Sequence, residues 1–293
     1  MIAAMGHAFT IGVEEEFQIV DPDTWELRSH VSELLTSSGP ALGDQIKREL
    51  HQSIVEVGTK ICADVTELER EICHTRRELS QGAERVGLRI AAAGTHPFSR
   101  WKDQVISPGA RYDNIVEELQ QLARSLLIFG LHIHVAVPDQ ASTIELLNEA
   151  RYFLPHLLAL STSSPFWQGR DTGLKSYRTT VFRRFPRSGI PDEFDSWGQY
   201  EAYLDMLVEL HCITTARRSG GTCARTRCSA RSSSASATCP RPPASRWRWQ
   251  RWRRRSSSSC TACAAAISGS ASTRARSSKR TSGGPPATAS TAG

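Results

Sequence analysis

Acidic residues stop at Glu209: from there to Gly293 the chain contains no Asp and no Glu. No apolar run approaches the roughly 18 residues that a membrane-spanning helix needs, so the pattern predicts none. Met1 to His7 lacks the basic start and long apolar stretch of a secretion signal, which reads as a cytoplasmic protein. Neither Gly-x-Gly-x-x-Gly nor Gly-Lys-Ser/Thr occurs after a strand pattern, which argues against Rossmann and P-loop folds. Of the 8 cysteines, only Cys62, Cys73 and Cys212 lie before residue 214, in the part with globular character. Their spacing suggests neither a disulfide framework nor a zinc site.

The net charge of +6 averages two unlike segments. Residues 1–213 carry 20 basic and 30 acidic side chains, whereas residues 214–293 carry 16 basic and no acidic ones. The second segment is rich in Ser, Ala, Arg, Pro and Thr and poor in aliphatics. Such a composition cannot bury enough apolar surface to offset the entropy of ordering, so it reads as a disordered, low-complexity tail.

Within the first segment, Gly12-Val13-Glu14-Glu15-Glu16-Phe17 places three carboxylates in an apolar run. Alternation from Phe9 to Ile19 predicts a strand with Glu14 and Glu16 on one face and Glu15, Val13 and Phe17 on the other. Two carboxylates at that spacing repel each other unless a cation lies between them, and a hard divalent cation such as Mg²⁺ suits oxygen ligands. The plainer reading is a solvated acidic face. Glu49 and Glu56 follow in a mixed run from Ile46 to Ile61. Their separation shares a face on a helix and not on a regular strand; a bulge or helical turn would let them join Glu14 and Glu16.

Further on, Val31 to Leu35 reads as a short helical or loop stretch closed by Ser37-Ser38-Gly39-Pro40. Asp64 and Glu67 form a capping-box pattern for a helix to about Val86, and Leu88–Ala93 reads as a short buried strand. Ile115–Ile128 has helical periodicity. Gly130-Leu131-His132-Ile133-His134-Val135 reads as a strand with both histidines on one face, as ligands or as ordinary core residues. Ser142–Leu160 predicts a helix, Ser161 to Gly173 a polar loop carrying Arg170, and Ser196–Leu210 a last helix capped by Asp195. Arg170 and Arg178 have the chemistry to clamp a carboxylate or phosphate.

Four stretches occur together and in order: Gly-Val-Glu-Glu-Glu-Phe, Glu49 to Glu56, Gly130 to Val135, and Ser164 to Thr172. The set resembles the bacterial carboxylate–amine ligases often called glutamate–cysteine ligase type 2, from residue 8 to about 212. That resemblance implies an α+β fold, with a mainly antiparallel sheet forming a cleft flanked by helices, related to glutamine synthetase. It implies ATP and Mg²⁺ as cofactors, small-molecule substrates such as glutamate and cysteine, and an amide formed through an acyl phosphate with release of ADP and phosphate. It also implies Glu14, Glu16, Glu49, Glu56 and His132 as metal ligands or their neighbours, and Arg170 and Arg178 as catalytic clamps. Nucleotide-binding residues are not assigned, and a homo-oligomer is compatible with it.

Residues 1–213 thus read as the first two thirds of such a catalytic domain, and residues 214–293 as out-of-frame translation. In the frame displaced by two bases, residues 220 to 240 permit W-W-D-L-R-P-H-P-L-F-G-T-L-E-F-R-I-C-D-V-P, which resembles the family's missing part. In the same frame the stretch from Lys279 permits K-E-N-K-W-R-A-A. A frameshift near Cys212–Thr215 follows, with impaired activity in the chain as written. The alternative function is an inactive truncated protein whose basic Trp/Arg tail binds nucleic acid or anionic surfaces. A zinc hydrolase built on His132 and His134 is a third reading and has no motif behind it.

Overall fold

The strand that carries the three carboxylates is the hub of the molecule. The computed structural model describes residues 9–212, apart from 138 and 187, and the backbone of residues 231–236. In chain order the elements are β1 (Ile11–Val20), α1 (Val31–Leu42), β2 (Ile46–Arg48), β3 (Ile54–Gly58), α2 (Val65–Arg85) and β4 (Arg89–Ala91). There follow α3 (Ala110–Leu119), α4 (Gln121–Arg124), β5 (Leu131–Ala136), α5 (Gln140–Leu160), β6 (Phe166–Trp167), β7 (Arg170–Asp171), α6 (Tyr177–Phe182), α7 (Trp197–Glu209) and β8 (Arg231–Ser236).

The main sheet runs β2-β3-β1-β5-β8 with every pairing antiparallel. β3 takes one edge of β1. β5 and β4 take successive lengths of the other, opposite Ile11–Glu15 and Gln18–Val20 respectively. The pattern left the sheet's direction open; the α+β, antiparallel expectation is met.

Alternation along β1 sorts its residues by face. Phe17 and Ile19 join Val55 and Val57 of β3 against Val31, Leu34 and Leu42 of α1 and Leu79 and Ala83 of α2. Ile11 and Val13 join Leu131, Ile133 and Val135 of β5 against Leu68 and Ile72 of α2. Both cores lie on one side of the sheet, beneath α1 and α2, and each fully buried Leu or Phe there contributes on the order of 2 kcal/mol. The opposite face carries Glu14, Glu16, Glu56, His132 and His134.

Glu15, on the core face, is matched rather than tolerated. Arg76 of α2 meets it with a two-pronged ion pair, Nε donating to Oε2 at 2.7 Å and Nη2 to Oε1. Arg76→Met leaves a buried carboxylate without its partner and is expected to cost about 3–5 kcal/mol. Urea unfolding of that variant measures it, and an unchanged midpoint would count against the pair.

α2 starts as expected, with Asp64 Oδ1 accepting from the Thr66 and Glu67 amides and Glu67 Oε2 accepting from the Ala63 amide. Four local expectations need correction. α1 continues through Pro40 to Leu42, because Ser38 is buried and packs so tightly on Gly82 of α2 that a side chain there would collide with its hydroxyl. The Ile115–Ile128 helix is instead α3 and α4, broken at Gln120, whose φ is 47°. The last helix is capped by Ser196, whose Oγ accepts from the Gln199 amide, and not by Asp195. Phe166 to Asp171 is a two-stranded hairpin turning at Gln168 and Gly169 rather than an open loop. The tail beyond residue 213 lies outside the described residues except at β8, whose backbone pairs with β5.

Candidate metal centre

Strand register brings the acidic groups together. Glu16 stands opposite Glu56 across β1 and β3, and Glu14 stands opposite His132 across β1 and β5. Like charges directly opposite each other destabilise a sheet, so this row needs a counter-charge. Glu49 reaches the row because the chain reverses between β2 and β3, not through a helical turn or bulge. Lys47 of β2 pairs with Glu56 of β3, and Glu49 sits just past the end of β2. The Glu49 carboxylate accepts from the Leu50 amide at 2.7 Å, and its carbonyl accepts from the Ser107 hydroxyl at 2.5 Å, fixing the bend.

Two groups of ligand atoms result: Glu14, Glu56 and His132, and Glu16, Glu49 and Glu56, each with its atoms within 4.8 Å of one another. Glu56 belongs to both. All five metal-ligand expectations therefore converge on one patch of one sheet face. Carboxylate oxygens with a single imidazole fit hard divalent cations of the Mg²⁺ or Mn²⁺ kind and fit zinc thiolate chemistry poorly.

Local charge and burial set the protonation of the patch. Hydrogen bonds with His132 and His134 hold the Glu14 carboxyl well below the usual carboxylate range, outweighing burial. His134 Nε2 lies 3.0 Å from Glu14 Oε2, and His132 Nδ1 lies 3.5 Å from the same oxygen. Burial lowers His132, but the bond to Glu14 and the charge of Glu16 outweigh it and raise the group. Burial first, and then the charge of Glu16, push Glu49 up. Burial and the charges of Glu14, Glu49 and Glu16 push Glu56 up to about 7. Lys47 Nζ lies 3.8 Å from Glu56 and only partly offsets this. A carboxyl raised this way, by burial and by three others, is one whose ionised form an added positive charge would favour.

The two arginines part company. Arg178 is 6% exposed; its Nε donates to the Phe129 carbonyl at 2.7 Å and its charge acts on Glu16. Arg170 is exposed on β7, and among the described residues no hydrogen bond or ion pair links it to the acidic patch. Sequence reading missed Lys47 and the role of His134 as a second partner of Glu14. The His-x-His pattern was the available signal for the latter; Lys47 had none.

A sheet of this topology, with an oxygen-rich face between strands and helices packed behind it, defines the glutamate–cysteine ligase type of fold. A glutamate–cysteine ligase from Francisella tularensis, solved in complex with AMP, matches 69% of this chain and 48% of its own length with a TM-score of 0.50 at 15% identity. The chain belongs to glutamate–cysteine ligase family 2, whose family description matches residues 10–263.

Among similar proteins is one of Herpetosiphon aurantiacus named "Putative glutamate--cysteine ligase 2", 53% identical over 210 residues, which are 72% of this chain and 54% of that protein. A protein of the same name from Sorangium cellulosum is 54% identical over 213 residues, covering 72% of this chain and 56% of its own length. The chain thus spans about half the length of the curated relatives it matches. Among the described residues, no helix is long and apolar enough to cross a membrane.

Proposed function

We propose that this chain is the amino-terminal part of an ATP-dependent carboxylate–amine ligase that joins glutamate, or a similar acid, to cysteine or another amine. The observation that carries the reading is the pair of acid groups sharing Glu56 on one sheet face. In this reading Glu14, Glu56 and His132 would hold one Mg²⁺, and Glu16, Glu49 and Glu56 would hold another. Such ions would supply charge neutralisation for a bound triphosphate and the acid it phosphorylates.

The chain's own residues do the positioning. β1, β3 and β5 fix the carboxylates on a rigid support, which phosphoryl transfer needs because alignment and electrostatics supply most of its rate. His134 holds Glu14 from the side away from Glu56. Arg170, exposed on its hairpin, would act in this reading as a clamp for a substrate carboxylate or phosphate. The amine then attacks the acyl phosphate and expels phosphate, leaving the amide.

We also assign residues from about 213 onward to out-of-frame translation. The break in charge after Glu209 supports it, as do pairwise similarities of 210 and 213 residues. β8 supports it too: Arg231–Ser236 has no apolar side chain beyond Ala235, yet its shifted-frame reading, T-L-E-F-R-I, alternates like a strand. The family match through residue 263 runs against a boundary at 213. The nucleic-acid reading rests on tail residues that lie, apart from the β8 backbone, outside the described ones.

The test is ADP release by a frame-restored chain. It is expected to require both glutamate and an amine such as cysteine, with an amide as product. ADP release that ignores the amine would contradict a ligase.

A further inference from the structure

Two glycines far apart in the sequence make room for one side chain. A Cβ on Gly94 would lie 3.2 Å from both Cβ and Cδ of Arg178 and 3.1 Å from the Ser164 hydroxyl. A Cβ on Gly130 would lie 3.1 Å from Arg178 Nη2, 3.1 Å from His132 Nε2 and 3.4 Å from Glu16 Oε1. The arginine therefore passes over Gly94 at its root and reaches Gly130 at its tip, where Glu16 and His132 also converge.

Each end of this path is anchored. The Arg178 amide donates to Ser164 Oγ at 3.1 Å, and its Nε donates to the Phe129 carbonyl at 2.7 Å. Its guanidinium carbon lies 5.4 Å from the centre of the Phe182 ring, which closes the outer side. Glu16 is held by the same turn of chain: its Oε2 accepts from the Gly130 amide at 2.7 Å, and its own amide donates to the Gly130 carbonyl at 2.9 Å. Gly130 sits where β5 has just met β1 and β4 has not yet begun, so the arginine tip enters through a gap in the sheet edge.

A guanidinium buried this deeply is poorly placed to meet an incoming nucleotide or amino acid. We propose that Arg178 is a positioning residue: a buried counter-cation that, with the Gly130 amide, fixes the Glu16 carboxylate toward Glu49 and Glu56. This rests on the divalent-cation reading of the acidic face and revises the sequence-based assignment of Arg178 as a substrate clamp. Gly94 and Gly130 are the passage that lets it arrive.

Mn²⁺ titration of the full chain without nucleotide, followed by electron paramagnetic resonance, tests the inference. The parent chain is expected to bind two ions tightly. Glu16→Gln is expected to bind one, and both Arg178→Met and Gly130→Ala are expected to resemble it, with at least tenfold weaker binding of the second ion. Gly130→Ala keeps the arginine and an ordinary backbone, so it decides the matter if Arg178→Met does not fold, as circular dichroism would reveal. Two tight ions in both variants would overturn the inference, and so would normal Mn²⁺ binding with weakened ATP affinity alone. A parent chain that binds no Mn²⁺ would overturn the cation reading itself, and this inference with it.

Discussion

Glu56→Gln is expected to stabilise the metal-free chain by about 1–3 kcal/mol at pH 8 while removing at least a hundredfold of its divalent-cation affinity. Burial and three neighbouring carboxylates raise Glu56 from an ordinary 4.5 to about 7. The folded state thus holds this proton more tightly than the unfolded chain does. For an acid shifted in that direction, folding loses stability as pH rises from about 4.5 to about 7 and regains it as pH falls. A full shift of that size, with the offset from Lys47 already in it, corresponds to on the order of 3 kcal/mol, of which relaxation recovers part.

Glutamine keeps the shape and never ionises, so its advantage should be present at pH 8 and nearly gone at pH 5. Urea unfolding in chelator at both values measures this. Because Glu56 is common to both acid groups, the same substitution should empty both positions. A variant less stable than the parent at pH 8, or one that still binds two ions, would contradict the shared-ligand geometry.

The second large effect concerns the tail. The described residues contain the acidic face, but the chain spans only 54% of the Herpetosiphon protein it resembles. If residues beyond about 213 are read out of frame, the chain as written lacks the walls that would orient acid, amine and nucleotide. Effective concentration and alignment are worth roughly 7–11 kcal/mol in such reactions, so their loss is severe. The frame-restored protein is expected to exceed the written chain by at least about a thousandfold in glutamate- and amine-dependent ADP release. Both should bind Mn²⁺ comparably, since every proposed ligand precedes the break. Equal ligase rates would remove the case for the frameshift.

What could be read from the sequence is what depends on short-range periodicity. The strand of Glu14 to Glu16 alternates from Ile11 to Phe17, and its two faces emerged as expected because a one-residue slip would bury two unpaired carboxylates. The capping box of α2 is equally local. Glu49 was harder, since β2 has only three residues and is largely polar, and what turns it toward Glu56 is pairing with β3. Arg178 and Glu16 are separated by 162 residues, and no periodicity signals such a meeting; only the paired glycines, seen in space, explain it. The break at Gln120 carries no glycine to announce it, and Pro40 announced a helix end that packing against Gly82 overrides.

The most direct measurement is the number of divalent ions that the full chain binds at pH 8, by Mn²⁺ titration with Mg²⁺ as competitor. Two sites, both displaced by Mg²⁺ and both weakened as pH falls below about 7, are the expected result, because the incoming ion must displace the Glu56 proton. No bound Mn²⁺, or ions that Mg²⁺ does not displace, would mean that the acidic face is only a cluster of carboxylates and not the metal centre of a ligase.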